Sequence, residues 1–208
     1  SLSSAKGLQT ITFERDENGN EVSGEALSLA YNAFQNLENL VSVELPSRIS
    51  SFSVGMFSGC TSLTSIRFAD GVEKYRTDDS GVLYEKNETG WTLLYIPAGV
   101  KFDSFEVPAD VTVINGGLFA NTGVKTITFA DGDLPLELKS GEYTWCENLG
   151  AYGEWHYLGA FALCTQLTSI TLPNRVTVIG EGTFDGCVAL TDMTVPAGVT
   201  SIGTEAFS

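Results

Sequence analysis

Basic residues are scarce in this chain of 208 residues: eleven Lys and Arg stand against 26 Asp and Glu, a formal net charge of -15. Phosphate backbones and anionic membrane surfaces are held by clustered cations, so neither nucleic acid nor a lipid surface is expected as a partner. The acidic excess serves solubility or a basic partner. Histidine occurs once, at His156, which leaves no second imidazole at ligand spacing, and no metal or cofactor is expected. No run of about 18 apolar residues is present, so no membrane insertion is expected. The opening SLSSAKGLQT lacks an initiating Met and the charged-then-apolar pattern of an export signal, and reads as a mature or trimmed fragment. Absent too are a Gly-rich phosphate loop, a G-x-S-x-G elbow and an H-E-x-x-H pair, so no catalytic residue is assigned. An enzyme reading would require His156 to be joined to a carboxylate in a pocket.

What the chain does contain is a repeat. Phe161, Phe184 and Phe207 lie 23 residues apart, and the same chemistry recurs between them at the same offsets. Cys164 and Cys187 follow Phe by three residues, Leu167 and Leu190 by six, Ile170 and Met193 by nine. Leu172 and Val195, Pro173 and Pro196, Val176 and Val199, then Ile179 and Ile202 complete the unit. A period between about 20 and 29 residues carrying L-x-x-I-x-L marks a leucine-rich repeat array. Ile170 and Leu172 fall on one side of a strand, with Thr171 on the other. One unit cannot bury that apolar edge alone; stacked units bury it and align their strands in parallel. Proline then removes an amide donor and ends the strand, and Gly180 and Gly203 accommodate the tight return.

The phrases FSGCTSLTSIRF, FALCTQLTSITLP and FDGCVALTDMTVPAGVTSIGTEAF resemble the BspA-like leucine-rich repeats of bacterial surface and secreted proteins. That resemblance implies export to the outer surface or the medium. It also implies a protein partner of the host extracellular-matrix or cell-surface type. The expected architecture is an α/β solenoid, a right-handed leucine-rich repeat superhelix that is mostly β. It would carry a parallel sheet on one face and short helical turns near each Phe, in about seven rungs of about 23 residues. Strands are expected near residues 8–13, 40–45, 63–68, 104–107, 124–129, 167–172 and 190–195.

The hydrophobic content of 43% suits one domain over residues 1–208, with insertions near 14–32, 76–103 and 131–159. In the first, Asp16, Asn18 and Asn20 mimic calcium-loop positions, but Glu21 and Leu27 stand where a Gly and a bidentate Glu belong, so a solvated loop is expected. In the second, SGVLYEKNETGWTLLYIP reads as a hairpin about the turn Asn87–Gly90. Asn87-Glu88-Thr89 also fits a glycosylation sequon. The third holds Tyr143, Trp145, Tyr152, Trp155, His156 and Tyr157, the most aromatic stretch of the chain.

Those six residues are binding candidates, since Tyr and Trp dominate interface energetics and also stack on sugar faces, which keeps a carbohydrate ligand open. The alternative is that they fold back as a satellite cluster beneath a long loop. Glu44, Arg67, Thr128, Thr171 and Thr194 lie at outward strand positions and form a second candidate surface, or simply a stabilising ladder. Cys60, Cys164 and Cys187 share one repeat offset and are expected as buried free thiols, a disulfide between Cys164 and Cys187 remaining open. Function is therefore expected to be non-catalytic protein binding or adhesion, with a carbohydrate-binding module or a passive spacer as alternatives.

Overall fold

The computed structural model describes residues 5–140, 142–146 and 154–208. The chain divides into two units, Ser1–Glu85 with Tyr95–Val100, and Lys86–Leu94 with Lys101–Ser208. Both are mostly β with parallel pairing, and the one helical element among the described residues is a 3-10 turn at Val54–Phe57.

In the first unit the strands are β1 (Thr10–Ile11), β2 (Leu27–Ser28), β3 (Ser42–Leu45), β4 (Ile49–Ser51), β5 (Ser65–Phe68), β6 (Tyr75–Thr77) and β7 (Leu83–Lys86). Strands β1, β3 and β5 pair in parallel in that order, Val43 opposite Ile66 and Leu45 opposite Phe68. Their inward residues form a core in which Leu37, Leu40, Leu45, Leu63 and Ile66 are fully buried. A ring stack runs through it: Phe34 lies 5.6 Å from Phe57, and Phe57 6.3 Å from Tyr95. Tyr95, from the second insertion, thus occupies the place a repeat Phe would take. Burial pushes its phenol up to about 12.

The second unit holds β8 (Trp91–Tyr95, all but its last residue), β9 (Ser104–Val107), β10 (Val111–Ile114), β11 (Thr126–Phe129), β12 (Leu136–Leu138), β13 (Tyr143–Cys146), β14 (Glu154–Tyr157), β15 (Ser169–Ile170), β16 (Val176–Ile179) and β17 (Ser201–Ile202). One parallel sheet orders β9-β11-β15, and a second parallel set orders β8-β10-β12-β16-β17. Rings stack here as well, with Phe119–Phe161, Phe161–Phe184 and Phe184–Phe207 centroids 5.5, 5.4 and 5.4 Å apart.

Four features depart from the sequence expectation. The segments after Pro46, Pro108, Pro135, Pro173 and Pro196 lead into further parallel strands, where one sheet face was expected. Proline's carbonyl accepts the amide three residues on, as at Pro173 and Val176, and the chain leaves that turn already extended. A 3-10 turn forms at Val54–Phe57, but near the other repeat Phe residues the expected helical turn is only a run of bonds to the third residue back, such as Cys164 to Phe161 and Leu167 to Cys164. The residue two after Phe explains why no helix propagates. Asn36, Gly59, Asn121, Leu163 and Gly186 all take positive φ, between 59° and 77°, and a left-handed residue ends a right-handed helix.

The third departure is in the insertion near 131–159. Its opening is repeat structure, because β12 is paired in parallel between β10 and β16. Finally, residues 190–195 form no strand; Val188 and Val195 are exposed there, so the apolar burial that holds the inner strands is missing.

Glycines 180 and 203 serve close approach and not an unusual φ. A Cβ on Gly180 would sit 2.4 Å from the Ser140 nitrogen, and one on Gly203 would sit 2.5 Å from the Glu181 nitrogen. Arg175 has no sequence signal at all, yet it is buried. Its guanidinium donates to the carbonyls of Val111, Pro108 and Leu134 at 2.7, 3.3 and 3.4 Å, tying turns of earlier repeats together.

Candidate functional site

Outward strand positions carry short polar side chains because the inward ones are committed to the core. In the first unit Thr10, Ser42 and Ser65 follow one another across the sheet, and the Ser42 hydroxyl lies 3.4 Å from that of Thr10. Two positions on, Glu44 is the register partner of Arg67. Half-buried Glu44 is ion-paired to Arg15, whereas Arg67 is exposed. In the second unit Thr128 is exposed opposite Glu106. Thr171 is exposed just beyond β15, and Thr194 is exposed outside any strand. Glu44 and Arg67 are thus neighbours in the first unit, while Thr128, Thr171 and Thr194 belong to the second.

The first two insertions spend their polar groups on their own turns. The Asp16 carboxylate accepts the amides of Asn18 and Asn20 and the Asn20 side chain, at 2.9, 2.8 and 3.2 Å. Those bonds, the Asn20 amide first, hold the Asp16 carboxyl below the usual carboxylate pKa. In the Asn87–Gly90 turn, the Asn87 side chain caps the amides of Thr89 and Gly90 and donates to the hydroxyls of Thr92 and Thr112, both at 3.0 Å. Its amide nitrogen is thereby engaged, which leaves the sequon poorly placed for a glycan.

The aromatic insertion behaves differently. Strands β13 and β14 form an antiparallel hairpin with Tyr143 paired to Tyr157, Thr144 to His156, Trp145 to Trp155, and Cys146 to Glu154. Tyr152, and the side chains of Tyr143, Trp145 and Trp155, lie outside the described residues. At the hairpin's base the amide of Leu158 donates to the Glu142 carbonyl at 3.2 Å. His156 Nδ1 is hydrogen-bonded to Asp185 Oδ2 at 2.8 Å, the two side chains being 13% and 5% exposed. Tyr157 lies against Gly182, where φ is +58° and an added Cβ would come within 2.2 Å of the Tyr157 Cβ. The base of the hairpin is thus fastened to the repeat that opens at Phe184.

A carboxylate does stand beside His156. Neither residue lines the cavities around Lys101 or Leu163, and the position of the pair at the hairpin base gives it a tethering role. Among the described residues, no group of three or more His, Cys, Asp or Glu could hold a metal ion. No helix there is long and apolar enough to cross a membrane.

One feature escaped the sequence reading. Lys101, Phe102, Asp103, Lys125 and Gln166 line an open cavity of about 320 Å³ in the second unit. Lys125 Nζ pairs with Asp103 at 2.8 Å, and Lys101 Nζ donates to the Asn121 carbonyl at 2.7 Å. Its only sequence signal is two lysines about one period apart in a chain poor in them.

These stacked parallel repeats, with their Phe-x-x-Cys-x-x-Leu turns, match a family model described as a BspA type leucine-rich repeat region, in six copies over residues 6–78 and 157–208. The chain belongs to the BspA-type leucine-rich repeat family. Among solved structures, this BspA-type chain is similar to the pneumococcal vaccine antigen PcpA, with 26% identity and a TM-score of 0.61 over 88% of this chain and 40% of that one. It is also similar in fold to a leucine-rich cell surface protein of Faecalibacterium prausnitzii, at 20% identity and a TM-score of 0.57 over 100% of this chain and 52% of that one. A leucine-rich repeat protein of Bacteroides ovatus matches at 20% identity and a TM-score of 0.51, over 94% of this chain and 47% of that one. The BspA-type chain spans about half or less of the length of these relatives. No curated protein matches it in sequence.

Proposed function

We propose that residues 1–208 act as one non-catalytic binding module, displayed on or secreted by a bacterium, that recognises a host or microbial protein through the hairpin Tyr143–Tyr157. The repeats, continued as a solenoid of about seven rungs, would be the rigid mount for it. One observation carries this reading: two alternate register pairs of the hairpin, Tyr143 with Tyr157 and Trp145 with Trp155, are aromatic. Positions two apart in a strand share a face, so the register places these four positions on one face of the hairpin. Paired aromatics on a fastened hairpin offer large contact area at low entropic cost. The cell surface protein of Faecalibacterium prausnitzii supports the proposed location by its own description.

The test uses the whole chain and a Trp145→Ala/Trp155→Ala variant against immobilised extracellular-matrix proteins, with a glycan array in parallel. Loss of protein binding by about 30-fold or more in the variant supports the reading, since interface hot spots are worth about 2 kcal/mol or more. Loss confined to glycans replaces it with the carbohydrate reading. Undiminished protein binding moves the site to the strand face around Glu44 and Arg67. No binding on either array favours the spacer reading.

A further inference from the structure

We propose that Cys164 and Cys187 form a site of reversible oxidation, closing a disulfide that staples the repeat at Phe184 to the one at Phe161. Both residues follow their Phe by three positions in successive repeats, and both are buried, 3% and 8% exposed. The geometry rests on the chain on either side of them. Leu163's amide donates to the Asp185 carbonyl at 2.8 Å, and the Phe161 and Phe184 rings stack 5.4 Å apart. An added Cβ on Gly186 would lie 3.7 Å from the Leu163 Cα, so the two backbones touch one residue before each cysteine. Disulfides span Cα separations of about 4.4 to 6.8 Å, and neighbouring parallel strands lie about 4.8 Å apart.

Both cysteines donate to one oxygen, Cys164 through its amide and Cys187 through its thiol. The Phe161 carbonyl accepts the Cys164 amide at 3.3 Å and the Cys187 thiol at 3.1 Å. Cys164 in turn is hydrogen-bonded to Cys187; that bond, with burial, holds the Cys164 thiol well above its ordinary value, while Cys187 is lowered by the same bond. Cys187, the more exposed of the two and next to exposed Val188, meets an oxidant first, and Cys164 is the resolving thiol. Cys60 has no such neighbour at its repeat position, because Leu37 stands there in the preceding unit. Access comes from the Phe184 repeat itself, whose Val188, next to Cys187, is 81% exposed.

The step is thiol–disulfide exchange with a small-molecule disulfide such as oxidised glutathione. The Cys187 thiolate attacks one glutathione sulfur, the S–S bond of the oxidant breaks, and a glutathione thiolate leaves and is protonated. Deprotonated Cys164 then attacks the Cys187 sulfur and expels the second glutathione. Two electrons and two protons pass to the oxidant, and one protein disulfide results.

The experiment refolds the denatured, reduced full chain in a buffer of oxidised and reduced glutathione, so that burial does not limit access, then blocks remaining thiols and maps the peptides. The proposal expects a Cys164–Cys187 linked peptide as the main product, Cys60 still free, and a melting temperature raised by about 5 °C over the reduced protein. A Cys164→Ser variant should leave Cys187 as a glutathione adduct. This variant is expected to fold, since Thr122 places a hydroxyl at the equivalent position and bonds it to the Phe119 carbonyl. Free thiols at both positions after refolding, or pairing of either with Cys146 or Cys60, would overturn the proposal.

Discussion

The repeat at Phe161 and the repeat at Phe184 follow one sequence template, yet they fold to different degrees. In the first, Leu167, Ile170 and Leu172 are 0%, 6% and 5% exposed, and Ser169–Ile170 pairs with Thr126–Ile127. In the second, Leu190 and Met193 are half-buried, Val195 is 42% exposed, and no strand forms across residues 190–195. The second strands differ less, since Ser201–Ile202 still pairs with Val178–Ile179. Side chains at equal offsets thus gain burial from neighbouring units and not from their own sequence, as expected for quasi-one-dimensional stacking.

Arginine at offset fourteen gives the sharpest way to break this comparison. Arg175 holds three carbonyls of earlier turns, while the equivalent residue after Phe184 is Gly198. Arg175→Ala should cost about 3 to 4 kcal/mol, because buried carbonyls lose a charged donor. Urea unfolding followed by circular dichroism would show it as a lower midpoint, and a change below about 1 kcal/mol would mean that water replaces the guanidinium. Leu167→Ala should cost about 3 kcal/mol against less than about 1 kcal/mol for Val195→Ala, since only the former leaves a cavity. Equal costs would remove the difference between the two repeats.

Close approach predicts the next effect. Gly180→Ala should destabilise by about 2 kcal/mol through its clash with Ser140 and Leu138, whereas Gly7→Ala, with nothing within 4 Å of the added Cβ, should be nearly neutral. In the first unit, Tyr95 contributes a pH dependence. Its folded value of about 12 lies above the ordinary 10, so the stabilisation is complete below pH 10 and is lost as pH rises through about 12. The loss is on the order of 3 kcal/mol, and Tyr95→Phe should abolish that part of the alkaline unfolding curve. Smallest of all, Arg15→Ala should cost less than about 1 kcal/mol, because its pair with Glu44 is partly exposed to solvent.

The fixed offsets made the array, its inward residues and most first strands legible in the sequence. The second parallel set was harder to read: Val176 and Ile179 recur on schedule, but a four-residue apolar segment after a proline carries no period of its own. Strand β12 was hidden because LPLEL lacks the Phe and Cys that mark a unit. Arg175 and the His156–Asp185 contact were invisible, since each partner lies 29 or more residues away. The aromatic cluster of the third insertion was visible as composition, and its pairing as a hairpin was not, because no Asn-Gly or Asp-Gly signal joins its strands.

Amide hydrogen exchange, read peptide by peptide over residues 161–180 and 184–203, tests most directly whether neighbours supply the burial. Amides of Val176–Ile179 should exchange only through global unfolding, while those of residues 188–195 should exchange at least about 100-fold faster through local opening. Equal protection across the two repeats would contradict burial supplied by neighbours.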